Sequence, residues 1–365
     1  MAVRVRVPLG AQIYHLAVSF RLLAFSSFIF MENPYVKQFP DLLMGKTVLY
    51  VHGFGSSGQS GTVSRLRTVF PNAKVVAPDL PVHPEEAQAL LQKLCKEEKP
   101  HLILGTSMGG MYTEQLYGFD RILMNPALCI ADTMQAHGMT GIQQFQNPRQ
   151  DGVQEFYVDK TMVKEYRMVS EQRFKGLQAM SDEERAREMK RVWGLFGDRD
   201  ELVDTYGLFC EHYPLATHFH GEHRMDDRSF MHSVLPVIRW IDDSQEGRQR
   251  PIIYIGMETL MDAYDKPTSS SQKAVRHLIE SYQVYFVAKD TYPTNNRGGQ
   301  WLEEYINVPA WMHTIYTHRR DLLYGDYLIE AEETKGAITT RIVYGSDTFK
   351  TWEDIIDYFS LLGGQ

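Results

Sequence analysis

The chain has 365 residues, 43% hydrophobic and 23% charged, with 38 Lys and Arg against 46 Asp and Glu. That length leaves room for two domains of ordinary size, and the formal net charge of −8 argues against a nucleic-acid partner. Three widely spaced cysteines, Cys95, Cys129 and Cys210, form neither a metal pattern nor a disulfide framework, so a reducing, cytoplasmic location is expected. Cys210 reads as a small buried residue on a helix.

Residues 1–30 carry Arg4 and Arg6 ahead of an apolar run that ends at Phe30. His15 and Arg21 interrupt the run, and no small-x-small cleavage site follows Phe30. No uninterrupted segment reaches the roughly 20 apolar residues that cross a bilayer. Met31 opens Met-Glu-Asn-Pro-Tyr, a natural start ahead of the first strand. Residues 1–30 therefore read as an upstream extension from a misassigned start, with a targeting segment or an extra ordered helix as alternatives. A membrane partner is not expected.

From residue 31 to 241, strands and helices alternate, which implies a parallel sheet with helices on both faces. Strands are expected near 46–52, 73–77, 101–106, 120–125, 191–196 and 215–219. Helices are expected near 59–69, 84–98, 108–117, 203–212 and 227–241. The first strand ends in His52-Gly53-Phe54-Gly55-Ser56-Ser57. The third runs into Gly105-Thr106-Ser107-Met108-Gly109. This is G-x-S-x-G at a strand-to-helix turn, where flanking glycines let the turn close and expose the serine hydroxyl. A serine so placed implies a serine hydrolase, with Ser107 the nucleophile. Such chemistry needs N–H groups aimed at an oxyanion. Phe54, in the His-Gly-x loop, and Met108, after the serine, are the candidates.

An acid and then a histidine should follow. Past the strand at 191–196 stand Asp198 and Asp200, and Gly197-x-x-Asp200-x-x-Val203 favours Asp200. Asp198 reads as a turn residue. His223 follows a Gly-x after the last strand and is favoured as the general base. His218 and His220 read as structural. Between Ala127 and Arg191 lies an insertion near 131–189. It holds Met134, His137, Phe145, Phe156, Tyr157, Met162, Tyr166 and Phe174, and a charged helix at 181–190. Two readings stand: a lid over the serine, or a helical excursion that packs its aromatics into the core.

Tyr50-Val-His-Gly-Phe-Gly-Ser-Ser57 together with Gly105-Thr-Ser-Met-Gly-Gly110 resembles the YqiA/YcfP-like bacterial esterases of the α/β-hydrolase superfamily, over residues 44–241. The resemblance implies hydrolysis of a carboxylic ester or thioester, a small-molecule ester as partner, and no cofactor. It implies no metal.

Residues 242–250 are polar and read as a linker. A second, smaller α/β unit follows over 251–365, with strands near 252–255, 283–288, 311–316 and 339–344. Helices are expected near 270–281, 298–306 and 351–361. Arg320 and Gly-Asp326-Tyr-Leu-Ile-Glu330 resemble the closing region of deoxyribonucleotidase-type members of the haloacid dehalogenase-like phosphatases. There a basic residue and acids support phosphate and magnesium, so the resemblance implies that Arg320, Asp326 and Glu330 gather at the strands' C-terminal edge. Those phosphatases also need Asp-x-Asp after the first strand, and here Gly256-Met-Glu258 stands in its place. The fold class read from the whole is α/β: a parallel-sheet hydrolase domain followed by a degenerate, phosphatase-like Rossmannoid domain. The alternative function is a non-catalytic binding or regulatory protein built on the two scaffolds.

Overall fold

The computed structural model describes residues 41–262, 266–289, 297–306 and 313–362. The readings on residues 1–30 therefore lie outside the described residues. The first sheet is built from short runs of Val, Leu and Ile, which, apart from the edge strand at 74–76, are buried on both faces as a parallel sheet between helices requires. Its strands are β1 (Thr47–Val51), β2 (Lys74–Val76), β3 (Leu102–Thr106), β4 (Arg121–Met124), β7 (Val192–Gly197) and β8 (Ala216–Phe219), in the order β2-β1-β3-β4-β7-β8. Every pairing is parallel. All six lie within a residue or two of their expected positions. Helices Gly61–Val69 and Leu235–Glu246 cover one face, around Leu66, Val48, Leu104 and Ile238. Helices Pro84–Glu98 and Met108–Glu114 cover the other, around Leu91, Leu49, Ile103 and Met111.

The insertion is built mainly of helices. It contains helices Ile130–Ala136, Lys160–Ser170, Lys175–Ala179 and Asp182–Met189, the last opened by a Ser181–Glu184 capping box. It also contains an antiparallel pair, β5 (Gly141–Gln144) with β6 (Glu155–Val158), which periodicity did not reveal. Met134, Met162, Tyr166 and Phe174 are buried, as in a plain packing element, whereas Tyr157 is exposed. Its hairpin faces the serine, as described below.

Two readings need correction. Cys210 does lie on a helix, Tyr206–Cys210, but it is exposed. The expected linker 242–250 begins inside helix Leu235–Glu246, whose polar end is held by ion pairs. Lys46 reaches Asp242 at 2.6 Å, and Arg248 and Arg250 bracket Asp243. Just ahead of that helix, Phe230–Val234 forms one wide π turn. Pro236 follows directly and has no N–H to continue the regular ladder.

The second sheet has β9 (Ile252–Gly256), β10 (Gln283–Ala288), β11 (Thr314–Tyr316), β12 (Tyr327–Glu330) and β13 (Thr340–Val343), ordered β11-β10-β9-β12-β13 and parallel throughout. Its central strand β9 has later strands on both sides, the doubly wound arrangement that opens a crevice at the strands' C-terminal ends. Strand β12 was legible only as a motif. Helices Ser269–Ser281 and Trp352–Leu362 pack Leu278, Trp352 and Phe359 onto Ile253, Ile255 and Phe286. Among the described residues no helix is long and apolar enough to cross a membrane.

The elements around the two sheets touch where Trp240 stacks on His313 at 3.9 Å between ring centres and where the Thr217 hydroxyl donates to Glu303 at 2.6 Å. Burial, helped by the nearby charge of Asp198, raises the Glu303 carboxyl to about 7 against an ordinary 4.5, while the Thr217 bond opposes the rise. The folded protein therefore holds this proton more tightly than the unfolded chain. Its stabilisation is complete below about 4.5 and is lost as pH rises through about 7. Replacing Glu303 with Gln removes the charge and keeps the acceptor. Denaturation at pH 8 should find Glu303→Gln more stable than the parent, by up to roughly 3 kcal/mol. The gap should close near pH 5, and a pH-independent difference would contradict the assignment.

Candidate active site

Ser107 stands between β3 and helix Met108–Glu114 with φ 54° and ψ −120°, a strained conformation for a residue with a side chain. The turn is this tight because its neighbours have no side chains. A Cβ on Gly105 would lie 2.2 Å from Thr113 Oγ1, and one on Gly109 would lie 2.0 Å from the Val51 carbonyl oxygen. Helix and strand thus approach through glycine, and the serine hydroxyl is lifted clear of the sheet edge.

Ser107 Oγ lies 2.9 Å from His223 Nε2, and His223 Nδ1 lies 2.7 Å from Asp200 Oδ2. The other Asp200 oxygen accepts the N–H groups of Leu202 and Val203 at 2.8 and 3.0 Å. Burial alone would raise this carboxyl, but the bond to His223 and those two N–H groups outweigh it and hold it below its ordinary range. An ionised Asp200 accepts only, so His223 donates from Nδ1 and receives the Ser107 proton on Nε2. Asp198 is engaged elsewhere: it accepts from the Gly221 N–H and lies 2.9 Å from His220 Nδ1. His218 lies within β8, its ring tilted against that of Tyr206 at 4.1 Å between centres. The three residues favoured from spacing are therefore brought together, and the competing aspartate and histidines are not.

Asn125, directly after β4, ties the site together. Its side-chain N–H groups donate to the carbonyls of Glu222 and His223 at 3.0 and 2.9 Å. Its side-chain oxygen accepts the Gly197 N–H at 2.6 Å. One amide so joins the loop that carries Asp200 to the loop that carries His223. Its φ of 44° is tolerated by Asn better than by most residues.

Phe54 and Met108 both line the neighbourhood of Ser107, Phe54 in the cavity wall and Met108 as the first residue of the following helix. His52 fixes the Phe54 loop. Its Nε2 accepts the Leu80 N–H at 3.0 Å, so the ring proton sits on Nδ1 and is donated to the Gly53 carbonyl at 2.8 Å. Burial lowers the His52 pKa and keeps the ring neutral. The insertion clasps the same loop. Gln146 N–H donates to the Gly55 carbonyl, Asn147 to Ser56 Oγ, and Ser57 Oγ to the Pro148 carbonyl, at 2.8, 3.1 and 2.6 Å. Phe156 packs edge-on to Phe54 at 5.2 Å. Above Ser107 and His223 lies a cavity of about 440 Å³, walled partly by Ile130, Met139, Gln143 and Gln146 of the insertion.

The second sheet gives a different picture. Arg320 binds Glu258 through two bonds of 2.6 and 2.7 Å, with Glu330 3.8 Å away. Glu330 accepts from the N–H and hydroxyl of Thr334. These groups meet at the C-terminal edge beside Gly256, where a Cβ would lie 2.5 Å from Glu258 Oε1. Asp326 does not join them. It accepts the Ile252 N–H at 2.7 Å, at the start of β9. Asp326 precedes β12 and Glu330 ends it, and a strand advances roughly 3.3 Å per residue, so the two occupy opposite edges. The oxygens at the C-terminal edge do not fit a magnesium ion. Gly256 supplies no carboxylate and its carbonyl accepts from Thr259, Glu258 is engaged with Arg320, and Glu330 with Thr334. Among the described residues no group of three or more His, Cys, Asp or Glu is placed to hold a metal.

The strand order of the first sheet, with the serine turn after β3, defines an α/β-hydrolase fold; the second sheet is a smaller doubly wound α/β unit. Residues 47–223 match the model of a family described as an uncharacterised protein family (UPF0227), which is that of the YqiA/YcfP-like proteins whose motifs this segment resembles. A candidate 5'(3')-deoxyribonucleotidase of Vibrio phage KVP40 is 27% identical over 106 residues, 27% of this chain and 61% of that relative. The chain thus spans less than two thirds of the curated relative's length. Among solved structures, the monoacylglycerol lipase of Paleococcus ferrophilus is similar at 16% identity and a TM-score of 0.36, over 54% of this chain and 94% of that one. Est1E from Butyrivibrio proteoclasticus is similar at 14% identity and 0.37, over 57% and 90%.

The Asn125 bridge leads to a measurable expectation. Asn125→Ala leaves an N–H and two carbonyls without their partner and places alanine at a positive φ. Chemical denaturation should show a loss on the order of 3 kcal/mol. A loss below about 1 kcal/mol would mean that the two loops hold their places without this amide.

Proposed function

We propose that the chain is a serine hydrolase that cleaves a carboxylic ester or thioester. The observation that carries this reading is the continuous chain of hydrogen bonds from Ser107 through His223 to Asp200, at 2.9 and 2.7 Å. Ser107 Oγ attacks the acyl carbonyl while His223 takes its proton. Asp200 orients the ring and stabilises the imidazolium. The N–H groups of Phe54 and Met108 receive the oxyanion, at about 3 kcal/mol of barrier per donor. His223 then protonates the leaving alcohol or thiol, and water releases the acyl group by the same steps in reverse. No metal or organic cofactor enters this scheme.

We read the chain as residues 31–241 carrying this chemistry and 251–365 forming a phosphatase-like unit that does not. The likeness to a phage protein named for deoxyribonucleotidase activity supports the ancestry of the second unit. Gly256, in the nucleophile's position, and the Arg320–Glu258 pair argue against the activity. With the edge of the second unit closed by the Arg320–Glu258 pair, we take a small-molecule ester at Ser107 as the partner, and we place the protein in the cytoplasm on its cysteine usage.

Hydrolysis of short 4-nitrophenyl esters tests the reading. The parent should turn them over, and Ser107→Ala should reduce kcat to background with unchanged thermal stability. Asp200→Asn should lower kcat by about 10⁴-fold through the wrong tautomer, whereas Asp198→Asn should leave it within a few-fold. With magnesium and deoxynucleoside monophosphates, the parent should release no phosphate. Ester turnover that survives Ser107→Ala, or equal losses in the two aspartate variants, would refute the assignment.

A further inference from the structure

The cavity above Ser107 has two unlike arms. Phe54, Ile130, Met139 and Leu202 make one arm apolar, and Tyr50, Ser60, Thr62, Arg65 and Thr106 make the other polar. The polar arm begins next to the nucleophile, since the Tyr50 hydroxyl is bonded to Thr106 Oγ1 at 2.8 Å and Thr106 precedes Ser107. No carboxylate lines the cavity, while two arginines, Arg65 and Arg224, do.

Helix Gly61–Val69 starts in this arm, and its N-terminal residues Gly61 and Thr62 line the cavity. A helix N-terminus presents unsatisfied N–H groups and a positive dipole end, which a capping side chain ordinarily answers. Here the N-cap residue is Ser60, a good capping type, yet its side chain makes no capping bond, and no acidic residue stands in the first turn. Ser60 is only 6% exposed, and its hydroxyl forms no well-directed hydrogen bond: the Tyr50 hydroxyl beside it is already bonded to Thr106. Arg65 has the same feature one turn along. Its Nη2 pairs with Asp227 and its Nη1 reaches the Met225 carbonyl, but its buried Nε has no partner. Buried polar atoms left unmatched cost free energy, so a cluster of them in one cavity marks where a ligand supplies the missing partner.

Resting on the ester-hydrolase reading above, we infer that the polar arm is a carboxylate subsite and that the substrate ester bears a free carboxylate on its acyl part. Two carboxylate oxygens answer the first-turn N–H groups and Ser60 on one side and Arg65 Nε on the other. A monoanion fits better than a phosphate dianion, because Asp227 already matches the Arg65 charge. The apolar arm then takes the alcohol or thiol portion.

The test compares mono-4-nitrophenyl esters of the straight dicarboxylic acids from glutaric to suberic with the same esters capped by methyl at the far carboxylate. The parent should prefer the free acid by at least tenfold in kcat/KM at one or more lengths. That ratio should fall towards one in Arg65→Gln and in Ser60→Ala, which removes a single unmatched hydroxyl. Equal or better turnover of the capped esters at every length overturns the subsite, as does a preference that persists in both variants. If the parent hydrolyses none of them yet turns over short 4-nitrophenyl esters, the subsite is overturned and the hydrolase reading stands; if it hydrolyses neither, the hydrolase reading fails and the subsite is judged by binding instead. Free adipate and its homologues should then raise the Tm of the parent and not of the variants, and no shift with any of them overturns the subsite.

Discussion

The turn at Ser107 is the constraint from which the first half of the molecule follows. A serine at φ 54° is unfavourable in isolation, and it persists because β3 and the following helix leave it no alternative. Gly105 and Gly109 let the helix start against β1 and β3 at distances that no side chain would allow. The Ser107 N–H is bonded to the Met124 carbonyl and its own carbonyl receives the N–H of Ala127. The turn is thereby fastened to the end of β4, directly before Asn125. From there the Asn125 amide sets the loops after β7 and β8, and with them Asp200 and His223. A parallel sheet aligns these loops at one edge, and the cross-links give them their final spacing.

The insertion has a comparable role on the other side of the serine. Its hairpin is tied to the His52–Ser57 loop by three hydrogen bonds, and Asp79 joins the same regions by accepting the N–H groups of Gly58 and Gln150. The loop that presents Phe54 is therefore held from below by His52 and from above by the hairpin. Rigid support of this kind suits a group that stabilises charge developing for an instant, because reorganisation would cost the barrier what the bond returns. In the second sheet the corresponding edge has gone the other way. Glu258 occupies Arg320 as an internal anion, and the edge is closed by its own side chains.

Much of this was legible because it rests on local pattern. The strands of the first sheet are apolar runs bounded by Gly, Pro or charge. Ser107, Asp200 and His223 each stand at a fixed offset from such a run. The parts that were missed depend on contacts distant in sequence. Asn125 acts on residues 72, 97 and 98 positions away, and nothing next to it signals that. Residues 242–246 look like a linker until Lys46, far away in sequence, pairs with Asp242. Asp326 was grouped with Glu330 by motif, although a four-residue strand separates them to opposite edges. The hairpin β5–β6 escaped because its strands are four residues each and half exposed, with too few alternations to read.

If Ser107 is the activated nucleophile, it should react covalently with an electrophile that mimics the acyl carbonyl. The protein is treated with a fluorophosphonate, digested, and mapped by mass spectrometry. A single stoichiometric adduct is expected on the peptide containing Ser107, abolished in His223→Ala although the serine remains. An unmodified Ser107, an adduct on another residue, or labelling that survives the loss of His223 would contradict it.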